Sequence, residues 1–169
     1  MGDGIDGRDG EDRSDGLGDA ATVSRLVDAP PGDVWAVLAD GWLYPLWVVG
    51  ASRIRDVDEH WPESGSCLHH SVGVWPLVVD DTTEVVSGEP GRDLLLRARA
   101  WPSGEAQVLV SLRPEGRGTC VTIREDAAAG PLRLVPGSLR KLAIAPRNAE
   151  SLRRLAYLAE GRAVREPAH

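Results

Sequence analysis

The sequence predicts an α+β domain in which a meander of antiparallel strands precedes one long amphipathic helix. Between Ser52 and Asp126, short stretches alternate apolar and polar residues, and turn signals such as Pro62-Glu63-Ser64-Gly65 recur about every ten residues, as is typical of a meander. Apolar side chains then return at helical spacing toward the C-terminus. A length of 169 residues and a hydrophobic fraction of 42% suit one globular domain with a real core.

A strand and a helix are predicted ahead of the meander. Residues 22–27 read as a first strand, and Ala29-Pro30-Pro31-Gly32 breaks it. A helix follows, with Asp33 in its first turn and Gly41 at its end. The aromatic segment Trp42-Leu43-Tyr44-Pro45-Leu46-Trp47 then predicts a turn or short helix.

Six strands are predicted within the meander, at about residues 51–60, 66–75, 82–88, 93–100, 105–113 and 118–125. Asp80-Asp81 is interpreted as a turn signal, and Glu125 and Asp126 are expected to end the last strand in an exposed position. Because strand side chains alternate between faces, one face of the sheet should carry His70 and a set of apolar residues. The predicted sets are Leu68-His70-Val72-Val74, Leu94-Leu96-Ala98-Ala100, Val108-Val110-Leu112 and Val121-Ile123.

The C-terminal helix is predicted after a loop over residues 127–137. Pro146 either starts this helix or kinks a longer one that begins near Ser138. Arg153 falls on the outer side of a helical wheel. The inner stripe consists of Ala145, Asn148, Ala149, Leu152, Leu155, Ala156, Ala159 and Ala163.

Charge is concentrated in the first nineteen residues. The net charge is -7, and residues 1–19 hold seven acids and two arginines, giving -5 and leaving -2 for the rest. We expect residues 1–19 to be a disordered acidic Gly/Asp-rich tail, residues 20–163 to be the folded domain and residues 164–169 to be a C-terminal tail. The folded domain is nearly neutral, which argues against nucleic acid as a partner. The sequence shows no leader and no long apolar run, so we expect no membrane insertion and a cytoplasmic location.

No motif for a cofactor or a metal is found in the sequence. Phosphate-binding, dinucleotide, zinc and hydrolase motifs are absent, so we expect no cofactor. Ser71 directly follows His70 and should point to the opposite face of the sheet, which disfavours a nucleophile–base pair. Cys67 and Cys120 are expected to be reduced thiols.

Four segments resemble the START-like (SRPBCC) superfamily, which includes bacterial polyketide cyclases and the birch-pollen-allergen proteins. They are Ala29-Pro30-Pro31 through Leu38, Tyr44 through Gly50, Gly65 through Pro76, and Arg147 through Leu155. The resemblance covers about residues 20–163. It implies a helix-grip fold, in which a curved seven-stranded antiparallel sheet of order 1-7-6-5-4-3-2 wraps around the long C-terminal helix. Two short helices lie between strands 1 and 2.

The resemblance also implies an apolar cavity between the sheet and the last helix. Alternation places His70 and Leu96 on the inner sheet face, and the helical wheel places Asn148 and Leu152 opposite them. Tryptophan rings suit a flat apolar ligand, and those near the first helix fall where the family has its cavity entrance. The expected ligand-binding residues are Trp35, Tyr44, Trp47, His70, Leu96, Asn148 and Leu152.

Three functions follow from this cavity. The first is binding of a small apolar molecule, lipid- or polyketide-like. The alternative is an enzyme of the cyclase or dehydratase type without metal or covalent intermediate, in which His70, with Asn148 or Arg97, polarises a carbonyl group. A ligand-free regulatory or interaction domain is the third. The sequence leaves the ligand and the oligomeric state, monomer or homodimer, open.

Overall fold

The seven predicted strands form one antiparallel sheet in the computed structural model, which describes residues 20–74, 77–100, 104–129 and 134–165. The order along the sheet is β1-β7-β6-β5-β4-β3-β2, as the resemblance implied. Consecutive strands from β2 to β7 pair with each other, and β1 closes the order by pairing with β7. The strands are Ala21–Val27 (β1), Ala51–Val57 (β2), Cys67–Val74 (β3), Leu77–Glu89 (β4), Asp93–Ala100 (β5), Gly104–Glu115 (β6) and Gly118–Ala129 (β7).

Two short helices connect β1 to β2. Helix α1 spans Pro31–Leu38, with Pro30 as its N-cap, and helix α2 spans Tyr44–Trp47 after a 3₁₀ turn at Gly41–Leu43. The Asp40 carboxylate accepts a hydrogen bond of 3.0 Å from the Trp42 N–H and so caps the 3₁₀ turn. Gly41 is needed here, because a Cβ at this position would lie 2.6 Å from a Val57 methyl carbon.

The fourth strand is longer than predicted, because Asp80 and Asp81 lie within it. The interpretation of these residues as a turn was wrong: in the β3–β4 register, Asp80 pairs with Ser71 and Asp81 pairs with His70. Asp80 is held there by Ser71 Oγ at 3.2 Å and by Arg55 at 3.3 Å. The last strand also continues to Ala129, so the predicted loop begins later than expected.

The C-terminal helix, α3, is continuous from Gly137 to Arg165 and has Pro146 in its interior. This is the longer of the two predicted alternatives. All of its buried residues follow Pro146, namely Asn148, Ser151, Leu152, Leu155, Ala156 and Ala159. Ala149, predicted on the inner stripe, is exposed, and Ser151 is buried in its stead.

The core lies between one face of the sheet and helices α1 and α3. Fully buried side chains from both layers meet there, including Leu68, Leu96, Ile123, Leu152 and Leu155. Cys67 on β3 and Cys120 on β7 are free thiols on strands with three others between them. Among the described residues, no helix is both long and apolar enough to cross a bilayer.

The predicted tails fall largely outside the described residues. This holds for all of residues 1–19 and for residues 166–169. The helix itself continues two residues past the predicted domain end at residue 163, to Arg165.

Candidate functional site

A cavity of about 250 Å³ lies between the inner face of the sheet and helix α3. Helix α2 and the segment that follows it form one wall, strands β3 to β7 form the floor, and the buried face of α3 covers it. The lining residues are Tyr44, Trp47, Val48, Val49, Gly50, Ala51, His70, Val72, Asp81, Leu96, Ala98, Arg99, Ala106, Val108, Ile123, Glu125, Arg147, Asn148 and Ser151. Apolar side chains dominate the wall, and a few polar groups are placed among them.

Five of the seven residues predicted from the sequence lie in this wall: Tyr44, Trp47, His70, Leu96 and Asn148. The other two lie elsewhere. Leu152 is 1% exposed and belongs to the core beneath α3, whereas Trp35 is half-buried against the core. The Trp35 ring lies near Gly88, where an added Cβ would be 3.6 Å from its Cη2 atom.

Three polar side chains form a buried hydrogen-bonded chain at one end of the cavity. The Thr83 hydroxyl is 3.0 Å from His70 Nε2 and 3.3 Å from the Tyr44 hydroxyl oxygen. The Tyr44 ring is also 5.3 Å from the His70 ring and makes an edge contact with Trp47 at 5.5 Å. Thr83, which is fully buried, therefore fixes the orientation of both rings.

Burial keeps both rings uncharged. It lowers the pKa of His70 to about 4, more than the nearby Ser71 backbone raises it, so His70 is neutral at pH 7. It raises the pKa of Tyr44 to about 12, although the Thr83 hydrogen bond opposes this, so the tyrosine keeps its proton. Within the described part of the chain, His70 Nδ1 is buried and makes no hydrogen bond of ordinary geometry, although the Ser71 backbone lies close enough to the ring to oppose the fall in its pKa.

Asp81 brings a carboxylate to the same end of the cavity. It is 8% exposed, and its described hydrogen bond comes from the Thr82 N–H at 2.7 Å. Burial raises the pKa of Asp81, while the Thr82 hydrogen bond and the charge of Arg99 oppose this shift. Asp81 and Arg99 also border a second, shallower depression together with Val79, Asp80 and Thr82.

A second polar cluster joins strand β7 to helix α3. Glu125 is 5% exposed and accepts hydrogen bonds from the Arg147 guanidinium and, at 2.9 Å, from Asn148 Nδ2. The expectation that Glu125 is exposed was wrong, because β7 continues past it and its side chain alternates inward with Val121 and Ile123. That alternation was the signal in the sequence that could have identified it.

The segment between α2 and β2 closes the cavity on a third side. The backbone N–H of Val49 donates to Ser151 Oγ of α3 at 3.1 Å, which ties this segment to the helix. Gly50 follows with a φ of 103°, a left-handed conformation that glycine adopts without steric cost.

Arg97, a predicted partner of His70, lies outside the cavity wall. It alternates with Leu96 and Ala98, which line the cavity, and its guanidinium instead contacts Glu84 at 3.3 Å in a half-exposed ion pair. Among the residues that the structure describes, no group of three or more His, Cys, Asp or Glu side chains could hold a metal ion.

Several solved structures share this fold. Protein CV1439 from Chromobacterium violaceum is 18% identical with a TM-score of 0.62, over 83% of this chain and 97% of that protein. DynU16, from the dynemicin biosynthetic locus, is 25% identical with a TM-score of 0.61, over 85% of this chain and 48% of that one. The di-domain ARO/CYC StfQ from the steffimycin biosynthetic pathway is 13% identical with a TM-score of 0.66, over 86% of this chain and 52% of StfQ.

The family comparison agrees with the fold. A search of curated proteins finds no match. The family described as "Polyketide cyclase / dehydrase and lipid transport" matches residues 19–160, which is most of the chain. The chain therefore belongs to the polyketide cyclase/dehydrase and lipid transport family.

Proposed function

We propose that this domain binds a small, mainly apolar molecule, lipid- or polyketide-like, in the cavity between the sheet and helix α3. The observation that carries the proposal is an apolar cavity of about 250 Å³ that contains a buried histidine nitrogen without a protein partner. Such cavities, with a few polar groups that fix orientation, are typical ligand sites. The volume is close to the lower end of the roughly 300–1,000 Å³ of small-molecule pockets, which favours a small ligand.

In this proposal the wall residues have separate roles. Trp47, Leu96 and Val108 supply apolar contact area, and His70 offers the polar anchor. The Asn148 amide donates one of its two protons to Glu125, and its Oδ1 accepts from Arg147 at 3.4 Å, so we assign the anchor to His70. The family description names polyketide cyclases, dehydrases and lipid transport, so both apolar ligand classes are consistent with it.

Filling the cavity is the direct test. Ala98 lies in the wall, so Ala98→Leu should occupy part of the space, whereas Ala149→Leu makes the same change on the exposed side of α3. Binding of the neutral fluorophore N-phenyl-1-naphthylamine should be weakened about tenfold or more by Ala98→Leu and left unchanged by Ala149→Leu. Absence of binding by the wild-type protein to this and other apolar probes would contradict the proposal. Native mass spectrometry of the purified protein would then show whether a ligand already occupies the cavity.

A second candidate function is catalysis of the cyclase or dehydratase type. The observation that favours it is a neutral imidazole beside the protonated Tyr44 hydroxyl and the buried Asp81. There His70 would polarise a ligand carbonyl and favour enolisation, while the wall holds the chain folded. His70→Gln should then abolish turnover of a poly-β-ketone thioester while the thioester still binds. Unchanged turnover would exclude His70 from such chemistry.

We also propose a cytoplasmic site of action without nucleic-acid partners. The charge distribution supports this: the -7 of the chain resides mainly in residues 1–19, and the body carries -2. The acidic charge of residues 1–19 would repel nucleic acid and anionic membranes alike.

A further inference from the structure

His70 and Asp81 are direct partners across strands β3 and β4. Side chains of such a pair emerge on the same face of the sheet, with Cβ atoms about 4.5–5.5 Å apart. Both residues line the cavity, and they are 3% and 8% exposed. No hydrogen bond between them is found in the described part of the chain. A polar group of a ligand that lies between them would therefore meet both side chains.

The hydrogen-bonded chain determines what His70 offers to such a group. We assign the chain the direction in which the Tyr44 hydroxyl, which keeps its proton, donates to Thr83 Oγ1 and the Thr83 hydroxyl donates to His70 Nε2. This direction uses both hydroxyl protons, whereas the reverse direction leaves the buried Tyr44 proton without an acceptor in the chain. Because Nε2 then accepts, the neutral imidazole carries its proton on Nδ1. His70 thus presents an N–H donor.

Asp81 offers the complementary acceptor. Arg99 is the nearest cation in the wall, but its side chain is 71% exposed and is shared with Glu105 at 4.0 Å. Solvent therefore screens its attraction to Asp81. The other buried carboxylate, Glu125, is already bound by Arg147 and Asn148. The polar end of the cavity, formed by His70 and Asp81, is consequently donor and acceptor together.

Resting on the binding function proposed above, we infer that this site selects apolar alcohols or phenols over carboxylic acids of the same length. A hydroxyl group can donate to Asp81 and accept from His70 Nδ1 at the same time. A carboxylate can only accept, so it cannot donate to Asp81, and where Asp81 is ionised the two like charges repel in an interior where charge repulsion is weakly screened. Asp81 is the residue that makes the distinction.

The test compares octanol, octanoate and octyl methyl ether as competitors of N-phenyl-1-naphthylamine at about pH 8, where octanoic acid is ionised. Wild-type protein should bind octanol about ten- to a hundredfold more tightly than octanoate. The ether cannot donate to Asp81 and should bind less tightly than octanol. Asp81→Asn should reduce the preference for octanol over octanoate to about threefold or less. The amide oxygen introduced by Asp81→Asn can still accept a hydrogen bond from the Thr82 N–H.

Asp80→Asn is the matched control, because it removes the same charge from the adjacent residue, which lies outside this cavity and is 67% exposed in its side chain. It should leave the preference unchanged. Equal binding of octanol and octanoate by the wild type, or an undiminished preference in Asp81→Asn, would overturn the selectivity and leave the binding function standing. If no competitor and no fluorophore binds, the binding function itself fails. If Asp81→Asn does not fold, the wild-type protein alone can test the donation to Asp81. Equal affinities of the wild type for octanol and octyl methyl ether would refute it.

Discussion

Lowering the pH should destabilise the domain through His70, and His70→Gln should remove that part of the effect. Burial lowers the pKa of His70 to about 4 in the folded chain, whereas the ordinary value of 6.5 applies when the chain is unfolded. Between these values the unfolded state binds a proton that the folded state does not, so the free energy of unfolding falls as the pH falls. The stability that neutral His70 confers is fully present above about pH 6.5 and is lost as the pH drops to about 4.

The two pKa values set the size of the effect. The loss should be about 2 kcal/mol at about pH 5 and about 3 kcal/mol at about pH 4. Urea unfolding at about pH 7 and about pH 5 would measure it for wild type, His70→Gln and the control His60→Gln, which removes an exposed imidazole. His60→Gln controls for the loss of an imidazole elsewhere in the protein, so a change in pH dependence that appears only in His70→Gln is assigned to His70. If the free energy of unfolding falls equally in wild type and His70→Gln between these pH values, His70 is not desolvated as described.

Three further predictions concern the buried cluster, the helix and the tail. Arg147→Ala should lower the free energy of unfolding in urea by about 3 kcal/mol, because it leaves the buried Glu125 carboxylate with one partner. Glu125→Gln should lower it by about 1 kcal/mol, since the Arg147 side chain is 43% exposed and can reach water. Equal losses would contradict this asymmetry. Leu152→Asp should unfold the domain, because Leu152 is 1% exposed. Arg153→Asp should leave the melting temperature nearly unchanged, because Arg153 lies on the surface. Similar shifts in melting temperature for both variants would mean that α3 turns a different face toward the sheet. Removal of residues 1–19 should leave the melting temperature within a few degrees, and a larger drop would show that this segment docks on the domain.

The fold was predictable because its signals are local. Alternation and turn residues located the strands, and the helical stripe located α3, since each depends on neighbours within a few positions. The strand order required the resemblance, because no local pattern specifies which strands pair. Asp80-Asp81 misled the prediction for a physical reason. Acidic pairs favour turns when they are solvated, but here Ser71 and Arg55 provide partners for Asp80 within the sheet.

The site was predictable where a local periodicity or the resemblance placed a residue. Alternation alone placed His70 and Leu96 inward, and both line the cavity. Thr83 was missed, because its contact with His70 depends on the register between β3 and β4. The prediction started β4 at residue 82 and did not specify its register with β3. Glu125 was missed because a charged residue at a predicted strand end is ordinarily solvated. Its partners lie 22 and 23 positions further along the chain, beyond any local pattern.

The cavity wall argues for a ligand over a domain that only interacts through its surface. Ala98 and Ala106 pair with each other across β5 and β6 in the wall, where larger apolar side chains would fill the space. His70 and Asp81 line the same cavity and add polar groups to this apolar surface. A ligand that fills the cavity and bonds to His70 should stabilise the folded state, so its binding free energy should appear as a rise in the melting temperature.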